Sequence, residues 1–61
     1  MTILILGAGE SGLGSALLAK KNNYNVFISD AGDILDSTKE KLIYSSINFE
    51  ENSHEKAKTL N

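Results

Sequence analysis

The feature that most constrains this chain is a junction near its start. An uninterrupted apolar run, Thr2-Ile3-Leu4-Ile5-Leu6, passes directly into Gly7-Ala8-Gly9-Glu10-Ser11-Gly12. A run of this kind, rich in β-branched residues and ending at glycine, reads as a strand buried on both faces of a parallel sheet. From about Ser11 to Asn22, Leu13, Ala16, Leu17 and Lys20 fall at helical spacing. Lys20 and Lys21 suit the negative end of that helix, and Asn23 can adopt the left-handed conformation that stops it. The glycines therefore lie between a strand and a helix. That is the setting in which G-x-G-x-x-G has a mechanism. Gly7 allows a tight turn, Gly9 lets a phosphate approach the backbone, and Gly12 lets the helix pack close to the sheet. Free N–H groups at the helix start then face an anion.

The rest of the chain continues the alternation. Asn25–Ser29 reads as a second buried strand ending at Asp30, and Ala31-Gly32-Asp33 as a turn. A second helix is expected to begin between Asp33 and Ser37 and to run to about Ser45. Its cap is either Asp33 or the box Ser37-Thr38-Lys39-Glu40. Ile47–Glu50 suits a third strand with one face more exposed, and Asn52-Ser53-His54-Glu55 a cap leading into a short final helix through Lys58. The order β-α-β-α-β-α predicts an α/β fold: a Rossmann-like parallel sheet with right-handed crossovers, strand order 3-2-1, half of a doubly wound domain.

Size and composition narrow the function classes. With 61 residues, the chain is at most one small domain. It has no cysteine for disulfide or thiolate chemistry, and one histidine, His54, cannot make a zinc site alone. A net charge of −2 and the absence of arginine argue against a nucleic-acid surface. No apolar run is long enough to span a membrane, and the start lacks the features of a signal peptide. These absences favour the cytoplasm.

Asp30 lies 18 positions after Gly12, near the ~20 at which a carboxylate reads a nucleotide. It is read either as that ligand contact, with little part in fold stability, or as an ordinary strand-end turn residue. An ATP-binding P-loop is excluded because both possible registers, Gly7 to Gly12 and Gly9 to Gly14, lack the following lysine. Glu10 is expected to point to solvent near the positive helix end, and Ser11 either to donate to a ligand or to cap the helix. Gly14 is expected to serve close helix–sheet packing rather than ligand contact, and His54 to be a surface residue in a helix first turn, with a ligand or catalytic role as the alternative. Tyr24, Phe27, Tyr44 and Phe49 are expected in or beside the core. By fingerprint alone the ligand is NAD, with Asp30 disfavouring NADP.

The string GAGESGLG followed by LLAKKNNYNVFISD resembles something narrower, the N-terminal domain of the MurD family, which are UDP-N-acetylmuramoyl-L-alanine:D-glutamate ligases of peptidoglycan synthesis. The resemblance covers essentially residues 1–61. It implies a Rossmann-like domain, truncated here, that holds the UDP part of the substrate at Gly7, Gly9, Glu10, Ser11, Gly12, Asp30 and Ala31. It implies that ATP and Mg²⁺ act in a middle domain and that a C-terminal domain helps bring in D-glutamate. No cofactor and no catalytic residue is then expected within these positions. The chain departs from the family pattern at Gly32, where a basic residue often packs on uracil, and at Asn23 and Asn52, which stand for glycines. Two other readings remain: the NAD-binding domain of a dehydrogenase, and a nucleotide-sensing regulatory module such as that of a potassium-uptake system. Because Thr2–Leu6 demands neighbours on both sides, the 61 residues are not expected to fold stably alone.

Overall fold

Five apolar-leaning residues, Thr2–Leu6, form strand β1 in a computed structural model that describes residues 1–59. Helix α1 (Glu10–Lys21), strand β2 (Asn25–Ser29), helix α2 (Asp36–Tyr44) and strand β3 (Asn48–Glu50) follow, and a single 3₁₀ turn covers Ala57–Thr59. The strands pair in the order β1-β2-β3, all parallel, as the alternation of strand and helix predicts. Ile3 lies beside Val26, and Ile5 beside Ile28, which in turn lies beside Phe49. Residues side by side in register share a face. Ile5, Val26, Ile28 and Phe49 pack with Leu13, Ala16 and Leu17 of α1, and with Leu42 of α2. Both helices therefore cover one face of the sheet, in a two-layer body of 28 × 27 × 17 Å.

The other face carries Leu4 beside Phe27, and Leu6 beside Ser29 and Glu50. Leu4 and Phe27 are half-buried, and Leu6 keeps 67% of its surface exposed. Only Ser29 on this face is fully buried, by the segment that follows β3.

Both α-helices end in the same way. After α1, Tyr24 N–H donates to the Ala19 carbonyl and Asn23 N–H to that of Lys20, with Asn23 at φ 67°. After α2, Ile47 N–H donates to Leu42 and Ser46 N–H to Ile43, with Ser46 at φ 58°. These paired bonds satisfy carbonyls that a helix end otherwise leaves orphaned. Leu42 and Ile47 are both buried, so the second stop is also clamped by apolar packing. Asn52 is left-handed as well, at φ 57°. Asparagine thus does the work of glycine at both Asn23 and Asn52, as its short polar side chain permits.

Several expectations need correction. Helix α2 starts at Asp36 with Leu35 in the capping position, and no side chain caps it. Neither Asp33 nor the Ser37–Glu40 box acts, because Ser37 and Thr38 already lie within the helix and buried Thr38 faces the core. The final helix is no more than the 3₁₀ turn among the described residues, although Ser53 does cap the segment by accepting Glu55 N–H at 2.9 Å; the Glu50 carboxylate accepts the next two, Lys56 N–H at 3.1 Å and Ala57 N–H at 3.0 Å. Tyr44 is 93% exposed and Tyr24 43%, so of the four aromatics only Phe27 and Phe49 are half-buried.

The bare face generates a prediction. A chain of these residues alone leaves Leu4, Leu6 and Phe27 with no covering layer and β1 as an open edge. Its denaturation, followed by circular dichroism, should show no cooperative transition, whereas full-length protein should give one. A sharp transition in a monomer of the short chain would refute this.

Candidate functional site

The parallel ladder of β1 and β2 runs one step beyond the strands, because Gly7 N–H donates to the Ser29 carbonyl at 2.7 Å. There the chain turns through Gly7 at φ 97°, a conformation that side chains other than glycine rarely adopt. It enters α1 at Gly9, with the first intrahelical bond from Leu13 N–H to the Gly9 carbonyl at 2.8 Å. The turn brings the helix onto the strand end so closely that a Cβ on Gly12 would lie 2.1 Å from the Gly7 carbonyl oxygen. Gly12 is therefore the close-packing glycine. At Gly14, for which that role was also expected, a Cβ would meet only open space.

No side chain caps α1. Ser11 lies inside the first turn and is exposed, so its capping role falls away and its hydroxyl is open to solvent. Glu10 is exposed too, as expected. The N–H groups of Glu10, Ser11 and Gly12 precede the first intrahelical bond, and the positive end of the helix dipole lies among them. At Gly9 a Cβ would also meet open space, so the loop leaves room above its backbone.

Asp30 is tied to this loop. Its Oδ2 accepts Ala8 N–H at 2.8 Å, and its Oδ1 accepts Gly32 N–H at 2.9 Å. The bonds from Ala8 and then Gly32 hold its carboxyl below the usual value, against a smaller opposing effect of burial. Asp30 is thus a turn residue and a brace for the glycine loop together. These two bonds give Asp30 a structural role beside the ligand contact expected of it. Ala31, beside it, is exposed, and Gly32 N–H is the second of the two donors on Asp30.

The loops after β2 and β3 are stitched by backbone bonds from Asp30 N–H to Glu50, Asn52 N–H to Gly32 and Ser53 N–H to Asp30. Glu51 adds a brace by accepting Ile34 N–H at 3.0 Å and Lys39 Nζ at 2.7 Å. The Lys39 bond and then the Ile34 bond lower the Glu51 carboxyl, and the Glu51 bond raises the Lys39 ammonium. His54, expected at the surface, instead has its Nδ1 on the Ser29 hydroxyl. Sequence gave no signal of that contact, since the two residues are 25 positions apart. Among the described residues no group of three or more His, Asp or Glu side chains is placed to hold a metal ion. No helix among them is long and apolar enough to cross a membrane.

The family follows from sequence comparison on this framework. Residues 2–60 match the sequence model of the MurD N-terminal domain. The chain belongs to that family. A protein named UDP-N-acetylmuramoylalanine--D-glutamate ligase from Christiangramia forsetii is 54% identical over 56 residues, which is 92% of this chain and 13% of that protein. Proteins of the same name from Porphyromonas gingivalis and Bacteroides thetaiotaomicron are 49% and 46% identical, over 90% and 97% of this chain. The MurD-type chain spans only 12–13% of the length of these curated relatives. No solved structure gives a significant match.

Two tests in the full-length protein follow from the geometry. Gly12→Ala should destabilise by about 3 kcal/mol or more, because helix and strand end must separate. Gly14→Ala, exposed in mid-helix, should stabilise by about 0.5–1 kcal/mol. Urea midpoints read both, and equal effects would overturn the assignment of close packing to Gly12. Asp30→Asn replaces one accepting oxygen by a donor and should cost about 1 kcal/mol at neutral pH. Because the folded carboxyl lies below the ordinary 3.8, its contribution is present above that value and is lost as pH falls through the lowered folded one. The deficit of Asp30→Asn should therefore shrink in acid. A deficit independent of pH would show that the charge of Asp30 is not what braces the loop.

Proposed function

We propose that this chain is the N-terminal, UDP-binding part of an ATP-dependent ligase that adds D-glutamate to UDP-N-acetylmuramoyl-L-alanine in peptidoglycan synthesis. One observation carries the reading: the uncapped amino end of α1 lies against a glycine turn at the carboxyl edge of the parallel sheet, with Asp30 bonded across to it. Ligands of open α/β sheets bind at that edge, with phosphates on the helix start. The names of the relatives supply the substrate.

In this reading the backbone of Gly9, Glu10, Ser11 and Gly12 faces the diphosphate, with the Ser11 hydroxyl as an additional donor. Gly7 shapes the turn that presents them. Asp30 and Ala31 border the uridine, where a carboxylate oxygen still has a lone pair to accept a ligand N–H or hydroxyl. ATP, Mg²⁺ and D-glutamate act on other parts of the full-length protein, where the substrate carboxylate is activated as an acyl phosphate and attacked by the amine. The loop has no lysine for terminal phosphates, which fits a UDP cradle better than an ATP site. The protein then works in the cytoplasm.

Gly9→Val is the sharpest test. Its side chain would project into open space, and its backbone, at φ −71° and ψ −173°, suits a branched residue. The fold should persist while UDP binding to full-length protein, measured by calorimetry, weakens at least about tenfold. Tight NAD binding with no response to UDP would favour a dehydrogenase-type site instead.

A further inference from the structure

Ser29 is fully buried, and three acceptor-capable atoms surround its hydroxyl. They are Glu50 Oε2 at 2.8 Å, the Ser53 carbonyl at 3.1 Å, and His54 Nδ1. A serine hydroxyl has one proton to give. The carboxylate and the carbonyl can only accept. If Ser29 gave its proton to His54, both oxygens would face its lone pairs with no hydrogen between. The arrangement is satisfied when Ser29 donates to the Glu50–Ser53 side and His54 Nδ1–H donates to Ser29. The Glu50 carboxyl is in fact held below its usual value. Burial is the largest influence and opposes this, but the bonds from Lys56 N–H, the Ser29 hydroxyl and Ala57 N–H together outweigh it.

That chain of bonds fixes the remaining nitrogen. His54 Nε2 has no hydrogen-bond partner among the described residues, and the residue is half-buried. With Nδ1 protonated, a neutral ring presents Nε2 as an acceptor. The ring is held beside the end of β2, since Ser29 directly precedes Asp30 and Ser53 N–H, next to His54, donates to the Asp30 carbonyl at 3.2 Å. Asp30 and His54 thus both belong to the carboxyl edge of β2, one following Ser29 in sequence and the other bonded to its hydroxyl.

We propose that His54 is a specificity residue of the nucleotide site, locked by Ser29 in its Nδ1–H form so that Nε2 accepts a hydroxyl or imide N–H from the nucleoside part of the ligand. The role rests on the reading that this edge holds a UDP moiety. It assigns the diphosphate to the glycine loop and the nucleoside to the Asp30–His54 pair, since two carboxylates beside the ring repel an anion there.

The test uses full-length protein labelled with ¹⁵N-histidine, observed by long-range ¹H–¹⁵N spectra at a pH well above the usual imidazole range. The His54 signals are identified by their loss in His54→Asn. Expected are a protonated Nδ1 and a bare Nε2, with Ser29→Ala releasing the ring to a mixture of the two tautomers. UDP should shift the Nε2 resonance, and inorganic pyrophosphate should not. His54→Asn keeps a donor near the Nδ1 position but no acceptor at Nε2; it should stay folded and bind UDP about three- to tenfold more weakly. An Nε2–H tautomer overturns the proposal. So does an unmoved Nε2 when UDP shifts the amides of Gly9 and Gly12. If UDP moves neither the glycine amides nor His54, the UDP reading itself fails.

Discussion

Everything at the carboxyl edge depends on the contact between Gly12 and the Gly7 carbonyl. It leaves no room for even one carbon atom, so helix and strand end meet backbone to backbone. That approach fixes the direction in which α1 leaves the sheet. It also buries Ala8, whose N–H is then aimed at Asp30. The positive-φ turn at Gly7 and the extended Gly9 are what this contact demands of the chain on either side. The helix start is uncapped because its capping position is Gly9, which has no side chain to accept a first-turn N–H.

Carboxylates hold the remaining loops. Asp30 joins the glycine turn to the β2–α2 loop, Glu51 joins the start of α2 to the end of β3, and Glu50 gathers the segment after β3 over Ser29. Each accepts backbone N–H groups that no strand or helix would otherwise pair. All three have lowered values, so each favours the fold above the ordinary carboxylate range and ceases to as pH falls through its folded value. Lys39 has the opposite sign: its value is raised, and its contribution fades only in strong alkali. The loops are thus braced over the whole range between.

What was legible in the sequence was whatever a local rule decides. Thr2–Leu6 and Asn25–Ser29 are short apolar runs bounded by turn residues, and both strands fall where the runs do. Asn23 and Asn52 announce left-handed turns because few other residues tolerate them. Ser46 adopts the same conformation without any such signal, because the burial of Ile47 against Leu42 enforces it. The capping box at Ser37 is a sound local pattern that loses to tertiary structure, since Glu51 takes the Ile34 N–H and the core takes Thr38. Gly12 and Gly14 look alike in a string and differ only in what stands opposite them. The Ser29–His54 contact is least legible of all, joining residues that meet only once three strands are in register.

These local and distant parts divide the proposed recognition between them. The glycine turn offers backbone N–H groups, whose direction is set by packing and whose character does not depend on which side chains surround them. The loops after β2 and β3 offer side chains, and those depend on Ser29, Glu50 and Asp30 being charged or bonded correctly. A backbone cradle suits a diphosphate, which asks for donors and positive potential. A pair of side-chain acceptors suits the nucleoside, which has N–H and hydroxyl groups to give. Glu10 fits this division. It is exposed in the first turn of α1, where a carboxylate suits the positive helix end without occupying the space above Gly9.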